Sequence, residues 1–180
     1  MRQRRGIAIG VPHACESIFP VMNEAATQRV LKGFTYGLYA LTVKHEGDEH
    51  GITANWVSQA SFDPPMVVAA VDSTSRTIEL IRDAHHFAIN VFHSEQRELA
   101  EKLGRPAATA HKLKGIKTKP APVSGVPVLA DALGWLECRV VATLPSGDHT
   151  VVLGEVVEAG VEHEAAAPLT AAQAGLTYSR

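Results

Sequence analysis

Hydrophobic and polar positions along the chain fall into short blocks rather than long helical stripes. Residues 36–44 are rich in aromatic and β-branched side chains and predict a strand. The polar stretch 45–50 centres on Gly47 and reads as a hairpin connection, with residues 51–57 as the returning strand. Asp63, Pro64 and Pro65 stop it, because proline cannot donate to a ladder. Residues 66–71 form an unbroken apolar run, the mark of a strand buried on both faces.

Residues 72–82 predict the clearest helix, with Ser73 and Ser75 as capping candidates and Ile78, Leu80 and Ile81 as its apolar side. A strand at 86–92 and a short helix at 95–103 follow, the latter ended by Gly104 and Pro106. Residues 107–124 read as a long polar loop. Two further strands, 134–144 and 150–158, flank a turn at 145–149. The spacing suits hairpins better than crossover helices. The expected fold is therefore mainly β, a small antiparallel barrel with a few short covering helices.

The N-terminal part differs. Residues 2–20 show neither period, whereas 22–31 predict a helix capped by Asn23. The expected organisation is an extension over residues 1–21, a functional start at Met22, and one domain over 22–180.

Composition narrows the classes. Lys plus Arg number 17 and Asp plus Glu 19, a net charge of −2, which argues against a surface built for nucleic acid or anionic membrane. A hydrophobic fraction of 46% argues against disorder. Two cysteines, Cys15 and Cys138, make no disulfide framework and no zinc spacing, and a reducing compartment is the simpler expectation. The apolar stretch after the basic N-terminus is too short for a secretory core, and no window reaches the length of a membrane span. The protein is expected to be soluble and cytoplasmic.

Signatures of hydrolases, P-loop proteins, dinucleotide-binding turns and zinc proteases are absent from the sequence. Nine histidines invite a metal reading, the densest group being His85, His86 and His93. Strand geometry puts His86 and His93 on opposite faces, so no metal site is expected there. Lys112, Lys114, Lys117 and Lys119 could meet a nucleotide phosphate, or simply line a solvated loop.

The most informative stretch runs Gly51-Ile-Thr-Ala-Asn-Trp-Val-Ser-Gln-Ala-Ser-Phe-Asp-Pro-Pro65. Small residues let backbone approach a flat ligand, and hydroxyls with main-chain N–H groups suit the edge of a heteroaromatic ring.

This stretch resembles the flavin reductase-like family, FMN-binding split barrels, at Gly51, Thr53, Ala54, Asn55, Ser61, Asp63, Pro64 and Pro65. Phe87-Ala-Ile-Asn-Val91, Gly125-Val-Pro-Val-Leu129, Leu136-Glu-Cys138, Gly147-Asp-His149 and Gly154-Glu-Val156 are similar to later family elements, in order. Gln59 and Trp56 depart from the usual small residues. Gln59 and the Tyr36-Gly-Leu-Tyr39 opening resemble the branch of flavoredoxin and high-molecular-weight rubredoxin.

The resemblance implies an antiparallel split barrel of Greek-key type. It implies an NAD(P)H-dependent FMN reductase, with FAD as an alternative flavin and NADH or NADPH passing hydride to flavin N5. It also implies a homodimer, and as partner either a two-component monooxygenase or a rubredoxin-like or ferric acceptor. A non-catalytic FMN- or heme-binding module is the remaining alternative. By the same resemblance Thr53, Ala54, Asn55, Trp56, Val57, Ser58 and Ser61 line the isoalloxazine, largely through backbone. Ser73, Ser75, Arg76 and Thr77 sit near the phosphate, where a helix start would independently favour an anion. Phe92 walls the ring and His149 is the catalytic candidate near the flavin or nicotinamide.

Overall fold

The computed structural model describes residues 22–105 and 112–176. The extension over residues 1–21, His111 and the tail residues 177–180 lie outside them. The chain divides into two units, Met1–Phe34 and Thr35–Arg180. The described part of the first carries one helix, α1 (Glu24–Leu31). Asn23 caps it as expected, its side-chain oxygen accepting from the Ala26 amide at 3.0 Å.

In the second unit the elements run β1 (Tyr39–His45), β2 (Asp48–Ala54), β3 (Val57–Phe62), β4 (Pro65–Asp72), α2 (Arg76–Ala84), β5 (His86–Val91) and α3 (Arg97–Gly104). Then come β6 (Thr118–Pro120), β7 (Pro127–Leu129), β8 (Gly134–Ser146), β9 (His149–Val161) and the short α4 (Ala171–Ala174). Seven strands make one antiparallel sheet in the order β2-β1-β5-β8-β9-β4-β3, and β6 pairs with β7 separately. The β1–β2 turn is the one expected at Gly47. Glu46 and Gly47 take φ of 47° and 87°, the left-handed pair that matches strand twist in a two-residue hairpin.

The two edge strands, β2 and β3, are consecutive in the chain, and only Asn55 and Trp56 join them. So short a link forces the sheet to curl until its edges approach without pairing. The result is a barrel split along the β2/β3 seam.

Alternation along the strands fills the interior. Leu41 and Val43 of β1, Val67, Ala69 and Val71 of β4, Phe87 and Ile89 of β5, Cys138 and Val152 point inward. Helix α2 stops the barrel with Ile78 and Ile81, both fully buried. Its N-cap is Ser75, whose hydroxyl accepts from the Ile78 amide. Gly154 lies where a Cβ would meet the Phe87 ring at 2.6 Å, so the large ring is accommodated by the missing side chain.

The outer face of β1 and β5 is covered rather than solvated. Asn90 is fully buried there. It donates to the Ala40 carbonyl (3.0 Å) and the Thr42 hydroxyl (3.1 Å) and accepts from the Leu129 amide (2.7 Å). Thr42 in turn donates to the Pro127 carbonyl. These bonds fasten β7 across the sheet. A second core forms beside it from Leu38, Phe92, Ala100, Leu103, Leu113, Leu129, Leu169 and Ala174.

The stretch expected to be a polar loop is therefore more structured than its lysines suggest. Leu113 and Ala121 are buried, and β6 and β7 pair. Glu137, wholly buried, holds the intervening turn by accepting from the Val123 and Ser124 amides and the Ser124 hydroxyl. Two of the lysines are already engaged: Lys112 donates to the Leu103 carbonyl and Lys119 pairs with Glu162 at 2.5 Å. Among the described residues no helix is long and apolar enough to cross a membrane.

Candidate functional site

The split barrel brings three turns together. The first is the β2/β3 link at Asn55 and Trp56. The second joins β4 to α2 through Asp72–Thr77. The third is the β8–β9 turn at Gly147 and Asp148. Register fixes their meeting. Asp72 stands opposite His149, Val71 opposite Thr150 and Ala70 opposite Val151, while the Ala70 amide bonds to the Trp56 carbonyl at 2.9 Å.

The side chains follow. The Trp56 and His149 rings are in contact, centroids 4.6 Å apart and tilted by 48°. His149 is nearly buried, and its Nδ1–H donates to Asp148 at 2.6 Å, which fixes the ring orientation. The Ser73 amide donates to the Asp148 carbonyl, and the Ser73 hydroxyl lies 2.9 Å from the Thr150 hydroxyl. Arg82 reaches the same Thr150 oxygen at 3.4 Å. Asp72 closes the turn by accepting from the Thr74 amide and hydroxyl.

Trp56, Ser73 and His149 are thus brought together, with Ser75 at the cap next to Ser73. The remaining candidates separate by what their side chains already do. Ala54 is core, Val57 packs against it, and Asn55 and Ser61 are half-buried. Ser58 is exposed and donates to the neighbouring Gln59 carbonyl. The Thr53 hydroxyl points to α3, donating to the Ala100 carbonyl at 2.6 Å. The Thr77 hydroxyl is buried against His50 Nδ1 at 3.1 Å, and the Arg76 guanidinium pairs with Asp48 and Glu79. Thr53 and Thr77 can therefore serve a ligand only through backbone.

Phe92 is corrected outright. Its ring is fully buried in the second core with Leu38, Leu103 and Leu129, so it is packing and not a wall for a ligand. Two residues that the sequence reading did not single out, Thr150 and Arg82, belong to the cluster. Arg82 lies seven residues after Ser75, two helical turns on and so on the same side of α2. That spacing was the available signal.

The seam supplies a second kind of donor. β2 and β3 each pair with one neighbour in the sheet, so their other edges present main-chain N–H and C=O groups to the gap. A ring edge bearing both acceptors and donors can be met there by backbone alone. An anionic group is suited by the hydroxyls of Ser73 and Thr150, the α2 start and the Arg82 cation, whereas the Ser75 hydroxyl is taken up in donating to the Asp72 carbonyl and accepting from the Ile78 amide.

Comparison with known proteins agrees with this geometry. Residues 31–179 match the flavin reductase like domain. The chain belongs to that family. In it, the reductase component of a 4-nitrophenol 4-monooxygenase/4-nitrocatechol 2-monooxygenase from Rhodococcus opacus is 31% identical over 144 residues, 80% of this chain and 76% of that protein. Diflavin flavoprotein A 1 of Synechocystis is 33% identical over 127 residues. That match covers 69% of this chain but only 22% of the longer protein, and it supports the branch that the sequence resembles. The NADH:FAD oxidoreductase of Streptomyces globisporus, solved with NAD and FAD fragments, superposes with a TM-score of 0.74. It has 26% identity, covering 82% of this chain and 87% of its own. The donor set at the seam is of the kind a flavin requires.

Proposed function

We propose that the protein is an NADH-dependent flavin reductase that supplies reduced flavin to a partner, most simply the oxygenase of a two-component monooxygenase. The observation that carries this reading is the meeting of an unpaired sheet seam with the Ser73–Thr150–Arg82 cluster and the Trp56–His149 pair. When bound, the flavin supplies the redox chemistry, accepting hydride from the nicotinamide at N5. The chain's own part is placement. Backbone of residues 54–58 holds the ring edge, and Ser73, Thr150 and Arg82 hold the phosphate, with Ser75 capping the helix start beside them. Trp56 and the Asp148-oriented His149 bound the space a nicotinamide enters and keep water from it. The related reductase component from Rhodococcus and the NADH:FAD oxidoreductase from Streptomyces support the donor and the kind of partner.

The same reading makes the protein a homodimer whose binding domain starts at Met22. Leu144, Val151, Ala70 and Trp56 form one row across β8, β9, β4 and the β2/β3 link, and Ala142, Leu153 and Val68 lie alongside. Leu144 is 65% exposed, and this sheet face lies beside the proposed flavin site.

An absorbance spectrum of the purified protein with added FMN or FAD, before and after anaerobic NADH, tests the proposal. Flavin bands that bleach on NADH are expected. Bands that persist would make the protein a carrier reduced by another protein, and failure to take up either flavin would overturn the reading.

A further inference from the structure

Three segments far apart in the chain meet beyond the end of β9 that is remote from His149. His93 follows β5, Asp131 follows β7, and His163 follows β9. His163 Nε2 lies 2.7 Å from one Asp131 oxygen, and His93 Nε2 lies 3.9 Å from the other. The two imidazoles stand edge to face with centroids 5.4 Å apart. One ligand atom from each of the three residues falls within 4.8 Å of the other two.

Their backbones are braced independently of these contacts. Gln96, only 7% exposed, accepts from the His93 amide at 3.1 Å and donates to the Asp131 carbonyl at 2.5 Å. The Leu133 carbonyl accepts from the amides of both Glu162 and His163. Pro168, further along the same segment, forms a β-bridge with His93.

We infer that His93, Asp131 and His163 form a binding site for a divalent transition-metal ion of the zinc type. Two neutral imidazole nitrogens and one carboxylate oxygen are the donor set such ions prefer, with water completing the shell. Ligand atoms around a tetrahedral ion lie ~3.4 Å apart. The His163–Asp131 pair must therefore open by ~0.7 Å and His93 must close on Asp131 by ~0.5 Å. The exposed side chains of Asp131 and His163 have that freedom, while His93 is the fixed point at 13% side-chain exposure. Ligation through Nε2 puts the His93 ring proton on Nδ1, so the long 3.3 Å contact from the Glu95 amide is given up to water. The bound ion ties the segment after β9, which carries buried Leu169, to the β5–α3 connection. This site is independent of the flavin reading.

The test uses the full chain without a histidine tag, stripped by chelator and titrated with Zn²⁺ and, as a spectroscopic probe, Co²⁺. One equivalent is expected to bind, with a cobalt spectrum of nitrogen and oxygen ligation and a rise in Tm. His163→Ala and Asp131→Asn should each weaken binding on the order of 100-fold. Both alter exposed side chains, so the metal-free Tm should stay close to that of the parent. A His85→Ala/His86→Ala variant should bind as the parent does. No saturable binding, or binding that survives in His163→Ala, would overturn the inference and leave a carboxylate–histidine hydrogen-bond cluster.

Discussion

At the scale of single residues, the site and the scaffold use side chains in opposite ways. Asn90 makes three buried hydrogen bonds that bolt β7 to β1 and β5. Asn90→Ala would leave the Leu129 amide and the Ala40 carbonyl without that partner. The expected cost is about 3 kcal/mol, read as a lower urea midpoint at unchanged slope. Arg82 is exposed and reaches the cluster through a long 3.4 Å bond to the Thr150 hydroxyl, so its contribution falls on the ligand rather than the fold. Arg82→Ala should weaken FMN binding ~10-fold while leaving riboflavin, which lacks the phosphate, almost unchanged. Equal losses for both would remove Arg82 from the phosphate site. Cys138 shows the third possibility. Burial, and then the Glu137 charge, push its thiol up to about 12, so it packs the barrel and does not react.

Elements were legible where the information is local. The β1–β2 hairpin, the Ser75-capped α2 and the paired β8 and β9 all follow from residues a few positions apart, and the structure places their ends within four residues of expectation. β6, β7 and α4 were not, because Leu113, Leu129 and Ala174 are apolar only in small numbers and gain their meaning from the distant Leu38 and Ala40. Phe92 was misread for the same reason. A ring at a strand end looks alike whether it faces a ligand or a second core. At the element scale, two junctions can be tested. His50 on β2 is buried against Thr77 on α2, and burial, then Lys112, lowers its pKa below 6.5. Because the folded value is depressed, stability is present above pH 6.5 and is lost as the pH falls through the folded value. Tm should therefore drop between neutral and mildly acid pH, and His50→Gln should flatten that part of the profile. A parallel drop in the variant would place the sensitivity elsewhere. Gly154→Val forces a Cβ onto Phe87 and should cost about 2 kcal/mol or more, and Phe87→Leu should recover part of it in the double variant.

For the whole molecule, the unfinished surface and the unfinished site are the same region. The barrel interior is filled and the outer face of β1 and β5 is covered by β7 and α3. The outer face of β4 and β9 carries Val68, Val151 and Leu153, all half-buried, in line with Ala142 and the exposed Leu144 of β8. The sequence could suggest a split barrel and its cofactor through the ordered motifs. It could not show this face, because the register that aligns Leu144, Val151, Ala70 and Trp56 links positions far apart along the chain. β5 stops pairing at Arg139, so the outer half of β8 also has an open edge beside the patch. An open edge and an apolar row together are costly for a lone chain and suit burial against a second copy. Leu144→Glu puts a charge at the open-edge end of that row, where Leu144 is 65% exposed, while touching nothing in the barrel core. It should convert a dimer to a monomer in sedimentation analysis with Tm little changed beyond the loss of association. If Trp56 and His149 need the second copy to complete the flavin site, the same variant should weaken flavin binding in step with dissociation. Flavin affinity that is unchanged in a proven monomer would show that one chain holds the whole site.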